Sequence, residues 1–172
     1  MHVFTHHAPE EFDPVFAKIG KETMLISAAA TGSANTMTAS WGGCGVLWNK
    51  PIAICFIRPQ RHTFSYTEQS EYFSLAFFGG EQRDALAFCG RNSGRNYPDK
   101  FAAAGLTCTY TEDGIPYPAE ACEVLICRKL YTTRMKKEEF LDPSLLAHYP
   151  ADDFHHVYVG EIVDVLRRKS NT

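Results

Sequence analysis

One stretch, from Asn35 to Thr63, limits the folds open to this sequence more than any other part of it. A small, polar segment expected to be extended (Asn35 to Trp41) leads into a glycine-rich turn at residues 42–45. An apolar strand (Pro51 to Ile57) follows and ends in Arg-Pro-Gln-Arg-His-Thr, residues 58–63. Small residues let a flat ligand approach the backbone, and arginines beside a helix-starting threonine make an anion site. The stretch therefore predicts a paired-strand unit that suits a planar heterocycle carrying a phosphate.

The other apolar runs are also of strand length and are separated by glycine- or proline-containing turns. Strands are predicted at Met24 to Ala30, Asn35 to Trp41, Pro51 to Ile57, Phe73 to Phe78, Leu106 to Tyr110, Ala121 to Tyr131 and Val157 to Leu166. Strand–helix alternation of βαβ length is not seen. The pattern predicts one all-β domain over residues 1–172, a Greek-key antiparallel barrel with short peripheral helices. Pro51 to Ile57 is apolar on both faces, which indicates a wall covered by a helix or a second subunit.

Short helices are predicted between these strands. Their segments are Glu10 to Phe16, Arg61 to Ser70, Glu81 to Cys89, Asp99 to Ala104 and Ser144 to His148. Thr63 is expected to cap the second helix, Gly90 to end the third as a C′ glycine, and Asp142 to cap the last. The region of Pro116 to Pro118 is predicted to be a loop.

Composition excludes several classes of function. Hydrophobic residues make up 45% of the sequence, so a packed core is expected. The net charge of -3 argues against nucleic acid as the main partner, and the basic run from Arg128 to Lys137 is interpreted as a solvated strand and loop. No window approaches the ~20 apolar residues of a membrane span. The six cysteines form no Cys-x-x-Cys pair and the first residues have no signal-peptide pattern, so reduced thiols in a cytoplasmic protein without a metal site are expected.

Three separated motifs, in a fixed order, carry a resemblance to a known family. They are NTMTASWGG (35–43) with Lys50-Pro51 and Arg-Pro-x-Arg-x-Thr (58–63), CGRNSGRN (89–96) with Asp99-Lys100-Phe101, and HHVYVGEIV (155–163). From about Gly20 to Val165 the chain resembles the flavin reductase family, which has the FMN-binding split-barrel fold. The resemblance implies an FMN cofactor, NAD(P)H as co-substrate and a site at a homodimer interface.

The implied reaction passes a hydride from NAD(P)H to the flavin, with the electrons going on to an acceptor. Such a transfer needs no acid or base side chain, so no catalytic residue is predicted. Without a Gly-x-Gly-x-x-Gly turn between a strand and a helix, no separate dinucleotide domain is expected, and the nicotinamide would lie on the exposed flavin face. Two alternatives stay open: an FMN-holding, flavoredoxin-like electron carrier without its own NAD(P)H site, and a flavin-binding module without turnover.

Asn35 to Trp41 is the candidate shelf for the isoalloxazine ring, because a flavin needs backbone N–H and C=O groups along its pyrimidine edge. Thr38, Ala39 and Ser40 are small enough for that approach, and Trp41 is suited to wall the ring. Asn35 belongs to the same motif. The alternative is an ordinary barrel strand in which Trp41 is part of the core.

Arg58, Arg61, His62 and Thr63 form the first half of a candidate phosphate site. Arginine matches phosphate oxygens bidentately, and a helix N-terminus adds free N–H groups. The alternative is a strand end with solvated arginines. The spacing of the two arginines sends them in different directions, so one of them could instead pair with a carboxylate.

Ser93, Gly94 and Lys100 resemble the second half of this phosphate site. Gly94 is expected to take a positive φ, which would let successive N–H groups converge on an anion. Lys100 begins a helix, where its charge opposes the helix dipole, and this placement indicates an anionic partner. The alternative is a loop with surface charges.

Cys89 and His155 complete the candidate residues. Cys89 lies inside the second motif and is interpreted either as a cofactor contact or as a small buried hydrophobe. The resemblance places His155 near the flavin or the incoming reductant, where a neutral imidazole could donate to a flavin oxygen. The alternative is a surface histidine at a strand end.

Overall fold

A computed structural model describes residues 4–7 and 15–169 of the chain. Its strands are β1 (Phe4–His7), β2 (Met24–Ala30), β3 (Ser33–Ala39), β4 (Gly42–Leu47), β5 (Lys50–Ile57), β6 (Tyr72–Phe77), β7 (Cys108–Tyr110), β8 (Pro116–Pro118), β9 (Glu123–Arg134) and β10 (His156–Arg168). Its α-helices are α1 (His62–Gln69), α2 (Arg83–Arg91) and α3 (Lys100–Ala103). A π-helical segment (Phe16–Lys21) and 3₁₀ segments at Gly94–Asn96, Lys137–Glu139 and Pro143–His148 complete the described structure.

Eight of the strands form one antiparallel sheet. Their order is β3-β2-β6-β9-β10-β5-β4, and β1 pairs with the far end of β10. Strands β7 and β8 form a separate two-stranded ribbon. The predicted all-β class with short helices is confirmed. Within the described residues no pairing joins β3 to β4, so a closed barrel is not found.

One face of this sheet supplies the main core. Alternate residues of β2, β5, β6, β9 and β10 point into one apolar cluster, and its largest members include Phe73, Phe77 and Tyr158. Strand β10 crosses the cluster with register shifts at Val159/Gly160, and such bulges bend a strand and increase its twist. A Cβ at Gly160 would lie 2.8 Å from the Phe73 ring, so glycine is needed where β10 passes over that ring.

The other face of β2, β6 and β9 is covered by helices α2 and α3. Leu86 and Phe101 from these helices pack in a second apolar cluster with Leu25 and Val124 from the sheet. Fully burying one such side chain stabilises the fold by about 1.5–3 kcal/mol. The cluster therefore fixes α2 and α3 beside β3, where the candidate residues lie.

The predicted glycine-rich turn at residues 42–45 is wrong. These residues form β4, which pairs with β5 from Gly42↔Cys55 to Leu47↔Lys50. The chain reverses at Trp48 and Asn49, whose φ values of 53° and 58° are those of a two-residue hairpin turn. Glycine is required at position 42 for space, because a Cβ there would lie 2.7 Å from the Ile54 carbonyl oxygen.

Other local predictions need correction as well. Arg61, not Thr63, occupies the N-cap of α1, and Gly90 lies inside α2, which continues to Arg91. The Pro116–Pro118 segment is strand β8 rather than a loop, because it pairs with β7. The predicted helix at Glu10 to Phe16 falls mostly outside the described residues.

Candidate functional site

The first cavity of the candidate site lies where β3 ends. It has a volume of about 210 Å³ and we call it the ring cavity. Its walls are Met37, Thr38, Ala39, Ser40, Trp41, Arg58, Arg61 and His155. Trp41 is 42% exposed and its ring lies 5.2 Å from the His155 ring, so the alternative that places Trp41 in the core is wrong. The predicted shelf residues 38–41 and His155 are brought together.

Strand β3 is the end strand of the sheet and offers its outer edge to this cavity. It pairs with β2, and within the described residues no second strand pairs with it. Unpaired N–H and C=O groups on such an edge are free to bind another molecule. The Thr38 hydroxyl donates to the Leu86 carbonyl at 2.5 Å and ties the edge to α2.

Asn35 does not line the ring cavity but connects β3 to the first turn of α1. It is buried, and its side-chain amide donates to the Thr63 hydroxyl at 3.0 Å. Gly94 packs directly on it, since a Cβ at position 94 would lie 2.3 Å from the Asn35 Oδ1. Gly94 does not have a positive φ, so the predicted reason for this glycine is wrong. Glycine is needed for this close approach instead.

The second cavity, which we call the cationic cavity, has a volume of about 100 Å³. It is formed where the start of α1, the end of α2 and the segment before α3 meet. Its walls are Gln60, Arg61, His62, Thr63, Gly90, Arg91, Asn92, Ser93 and Lys100. Arg61 lines both cavities, so they adjoin. Apart from Arg58 and Gly94, the residues of the two predicted halves of the phosphate site therefore line one cavity.

Two cationic side chains of the cationic cavity donate hydrogen bonds to backbone carbonyl oxygens at the carboxyl end of α2. Arg61 donates to the carbonyl oxygens of Gly90 at 2.8 Å and Cys89 at 3.1 Å, and the Lys100 ammonium donates to Cys89 at 3.0 Å. Burial lowers the pKa of Lys100 to about 8, and the nearby Arg61 charge acts in the same direction. Burial, with the charges of Arg95 and Lys100, also lowers the pKa of His62.

This arrangement fits an anion. Among the described residues that wall the cationic cavity there is no carboxylate, so its positive charges lack a full counter-charge. An anionic group there would offset the repulsion, and the N-terminal N–H groups of α1 would add donors. The carbonyl of Cys89 takes part, whereas burial raises the pKa of its thiol, which is consistent with a small buried side chain.

Arg58 lines the ring cavity and does not line the cationic cavity. Its guanidinium donates to Asp153 at 2.5 Å and to the His148 carbonyl at 2.9 Å, and it lies over the Tyr149 ring at 5.2 Å. The hypothesis that one of the two arginines pairs with a carboxylate is confirmed. The hydrogen bond from Arg58 holds the pKa of Asp153 below its usual range.

His155 is buried rather than a surface histidine, and its Nδ1 lies 2.9 Å from the hydroxyl of Tyr149. Burial lowers the pKa of His155 to about 4, and the nearby Arg58 charge acts in the same direction. The imidazole is therefore neutral at pH 7. Sequence reasoning missed Tyr149, which follows a short helical turn in a loop and belongs to no motif.

A third, apolar cavity of about 670 Å³ adjoins the ring cavity, and Ser40 and Trp41 line both. Aromatic and aliphatic side chains make most of its wall, among them Phe56, Phe140 and Tyr149.

The described residues contain no group of three or more His, Cys, Asp or Glu side chains that could hold a metal ion. None of the described helices is long and apolar enough to cross a membrane.

An antiparallel sheet with a cavity at its end strand and a cationic cavity beside it defines a β protein with a candidate small-molecule site. The sequence narrows this class further. Residues 16–172 match the model of the flavin reductase like domain, and the chain belongs to that family. No curated protein sequence matches the chain.

Several solved structures have a similar fold. An FMN-binding domain of a flavin reductases-like enzyme from Shewanella baltica OS155 is 17% identical, with a TM-score of 0.69 over 97% of this chain and 78% of its own. A flavoredoxin from Methanosarcina acetivorans is 22% identical, with a TM-score of 0.67 over 88% and 70%. An NADH:FAD oxidoreductase from Streptomyces globisporus C-1027, in complex with NAD and FAD fragments, is 16% identical, with a TM-score of 0.64 over 86% and 78%.

Proposed function

We propose that this protein binds FMN and is a flavin-dependent oxidoreductase. The observation that carries the proposal is that Arg61 lines both cavities, which supports one continuous site for a flat ring and an anionic group. The bound FMN would supply the hydride and electron chemistry, and the chain would bind and orient it.

The phosphate of FMN would occupy the cationic cavity. Arg61 and Lys100 bring positive charge, and Thr63 and Ser93 bring hydroxyl groups to the same hollow. His62 adds a ring nitrogen and lies with Thr63 in the first turn of α1, where backbone N–H groups are free. Charge-assisted hydrogen bonds of this kind are about twice as strong as neutral ones.

The isoalloxazine ring would occupy the ring cavity. Backbone groups at Thr38 and Ala39, at the end of β3, and at Ser40, just after it, would meet the polar edge of the ring, while Trp41 would cover part of its face. His155, neutral and buried, would offer a ring nitrogen. Asn35, Gly94 and Cys89 would act indirectly, because they hold β3, the Ser93 segment and the two cations in place.

NAD(P)H is proposed as the hydride donor. The apolar cavity beside Trp41 leaves access to the ring cavity, and the Streptomyces relative was solved with NAD and FAD fragments.

We also propose a Greek-key split barrel, a cytoplasmic location and a homodimer. Val46, Trp48 and Tyr131 are 78%, 55% and 52% exposed, and a second subunit would remove this apolar area from water.

A second candidate function is that of an electron carrier. Two flavoredoxins, from Methanosarcina acetivorans and Desulfovibrio vulgaris, share the fold with TM-scores of 0.67 and 0.66. A carrier would hold FMN in the same two cavities and receive electrons from another protein without an NAD(P)H site.

Flavin titration followed by rapid mixing tests both functions. Purified protein is titrated with FMN and with riboflavin, and binding is followed by flavin fluorescence. Preferred binding of FMN is expected, whereas no uptake of either flavin would refute the proposal. The loaded protein is then mixed with NADH or NADPH, and fast bleaching of the flavin is expected with at least one donor. Slow bleaching with both donors would favour the electron carrier.

A further inference from the structure

We propose that Tyr149 is a positioning residue, whose hydroxyl fixes His155 in the tautomer that carries its proton on Nε2 and directs that N–H to the ring cavity. The identity of the group that meets this N–H rests on the proposed function. The tautomer itself is a property of the chain alone, so the two can fail separately.

The direction of the hydrogen bond follows from the two acceptors near the Tyr149 hydroxyl. The His155 Nδ1 lies at 2.9 Å and the Met135 sulfur lies at 3.4 Å. A neutral imidazole nitrogen is a good acceptor, whereas a thioether sulfur is a weak one. The single O–H proton of Tyr149 therefore goes to Nδ1. A neutral imidazole that accepts on Nδ1 must carry its proton on Nε2.

The other ring nitrogen of His155 is left for a ligand. No hydrogen bond to Nε2 is found among the described residues, and the imidazole forms part of the wall of the ring cavity beside Trp41. Because His155 is buried and neutral, this nitrogen is a fixed, uncharged donor rather than a group that gains and loses a proton near pH 7.

The Tyr149 ring is itself held on several sides. Phe154 stacks on it with ring centroids 4.8 Å apart, and the Arg58 guanidinium lies over the ring, 5.2 Å from its centroid. Arg58 is fixed in turn by Asp153. Burial raises the pKa of Tyr149, so its hydroxyl keeps its proton at neutral pH. The ring contacts thus hold the hydroxyl beside His155, which is what a positioning group requires.

A fixed N–H in the ring cavity selects for ligands with an acceptor atom at that edge. In FMN the acceptors are the oxygen and nitrogen atoms of the isoalloxazine ring. Electron density on these atoms increases on reduction, so a donor there stabilises the reduced ring more than the oxidised ring. The expected consequences are tighter binding of FMN and a less negative flavin midpoint potential.

The tautomer is tested by ¹⁵N NMR of histidine-labelled protein without flavin, with His155→Asn used only to assign the signals. Wild type is expected to show a protonated Nε2 and an unprotonated Nδ1. Tyr149→Phe keeps the ring and its stacking but is expected to give a mixture of tautomers. Met135→Leu, which removes the competing acceptor, is the matched control and is expected to match wild type. A protonated Nδ1 in wild type, or an unchanged tautomer in Tyr149→Phe, overturns the proposal.

A second measurement concerns the flavin itself. Tyr149→Phe is expected to bind FMN about two- to tenfold more weakly, the range for one hydrogen bond, and to have a more negative midpoint potential. Met135→Leu is again expected to match wild type. If Tyr149→Phe changes the tautomer of His155 but leaves the flavin midpoint potential unchanged, the His155 Nε2–H does not meet the flavin, and that part of the proposal is overturned. Absence of FMN binding in wild type would count against the proposed function and leave the NMR result valid.

Discussion

The side-chain amide of Asn35 donates a hydrogen bond to the hydroxyl of Thr63 at 3.0 Å, and both residues are buried. Asn35 lies on β3, which borders the ring cavity, and Thr63 lies in the first turn of α1, which borders the cationic cavity. This bond therefore sets the distance between the two halves of the candidate site. It directly connects two segments that are 28 residues apart in the sequence.

Thr63→Val is expected to lower the free energy of unfolding by about 1–3 kcal/mol, because the buried amide of Asn35 loses its acceptor while the side-chain volume stays the same. Urea denaturation followed by tryptophan fluorescence measures the change. Thr63→Ser keeps the hydroxyl and serves as the matched control, with an expected smaller loss. Equal losses in both variants would indicate that the methyl group, not the hydrogen bond, holds the two segments.

Gly94→Ala is expected to destabilise the protein by about 1–3 kcal/mol and to weaken FMN binding, because the new Cβ would lie 2.3 Å from the Asn35 Oδ1. The segment that carries Ser93 would have to move away from β3. Gly43→Ala is the control, since a Cβ at position 43 meets nothing within 4 Å. Thermal unfolding and an FMN titration check both variants, and a Gly94→Ala protein that behaves like Gly43→Ala would contradict the expected clash.

The sequence predicted the parts of the site that are local in the chain. Residues 38–41, and Arg61 with Thr63, are each a few positions apart, so the conformation of one short segment brings them together. The strand alternation and the short helices were predictable for the same reason. The second half of the phosphate site, Ser93 and Lys100, was placed by resemblance rather than by periodicity.

What the sequence left open depends on contacts between distant segments. Arg58 meets Asp153 across 95 positions, and no local pattern shows which of two arginines finds a carboxylate. The partnership of Tyr149 with His155 depends on how the loop after β9 folds back. The glycine at position 94 was assigned a turn conformation because its real constraint, the Asn35 side chain, is remote in sequence.

The affinity for FMN is expected to fall as the pH rises through about 8. In the free protein the pKa of Lys100 is lowered to about 8, and a bound phosphate would raise it, so the protonated form would bind FMN more tightly. Between about pH 7 and 8 the lysine is mostly charged and the phosphate, with a second pKa of about 6, is dianionic, so the dissociation constant is expected to be nearly level. Above pH 8 it is expected to increase by up to about tenfold per pH unit.

Lys100→Met provides the control for this pH dependence. The variant is expected to bind FMN more weakly at pH 7 and to show no increase in the dissociation constant between pH 8 and 9.5. Flavin fluorescence titrations at several pH values measure both proteins. A wild-type dissociation constant that stays level above pH 8 would mean that Lys100 does not meet the phosphate.

Arg61 and Arg58 are expected to have separable effects on ligand choice. Arg61 lines the cationic cavity and Arg58 does not. Of these two arginines, Arg61 alone is therefore expected to favour FMN over riboflavin, which lacks the phosphate. Arg61→Gln is expected to reduce the ratio of the riboflavin to the FMN dissociation constant by about 10- to 100-fold, the range for hydrogen bonds to a charged group. Arg58→Gln is expected to weaken both flavins to a similar extent, because it releases Asp153 and the Tyr149 loop at the ring cavity. Fluorescence titration of each variant with both flavins gives the two ratios. A collapse of the ratio in Arg58→Gln would place the phosphate beside Asp153 and exchange the roles assigned to the two arginines.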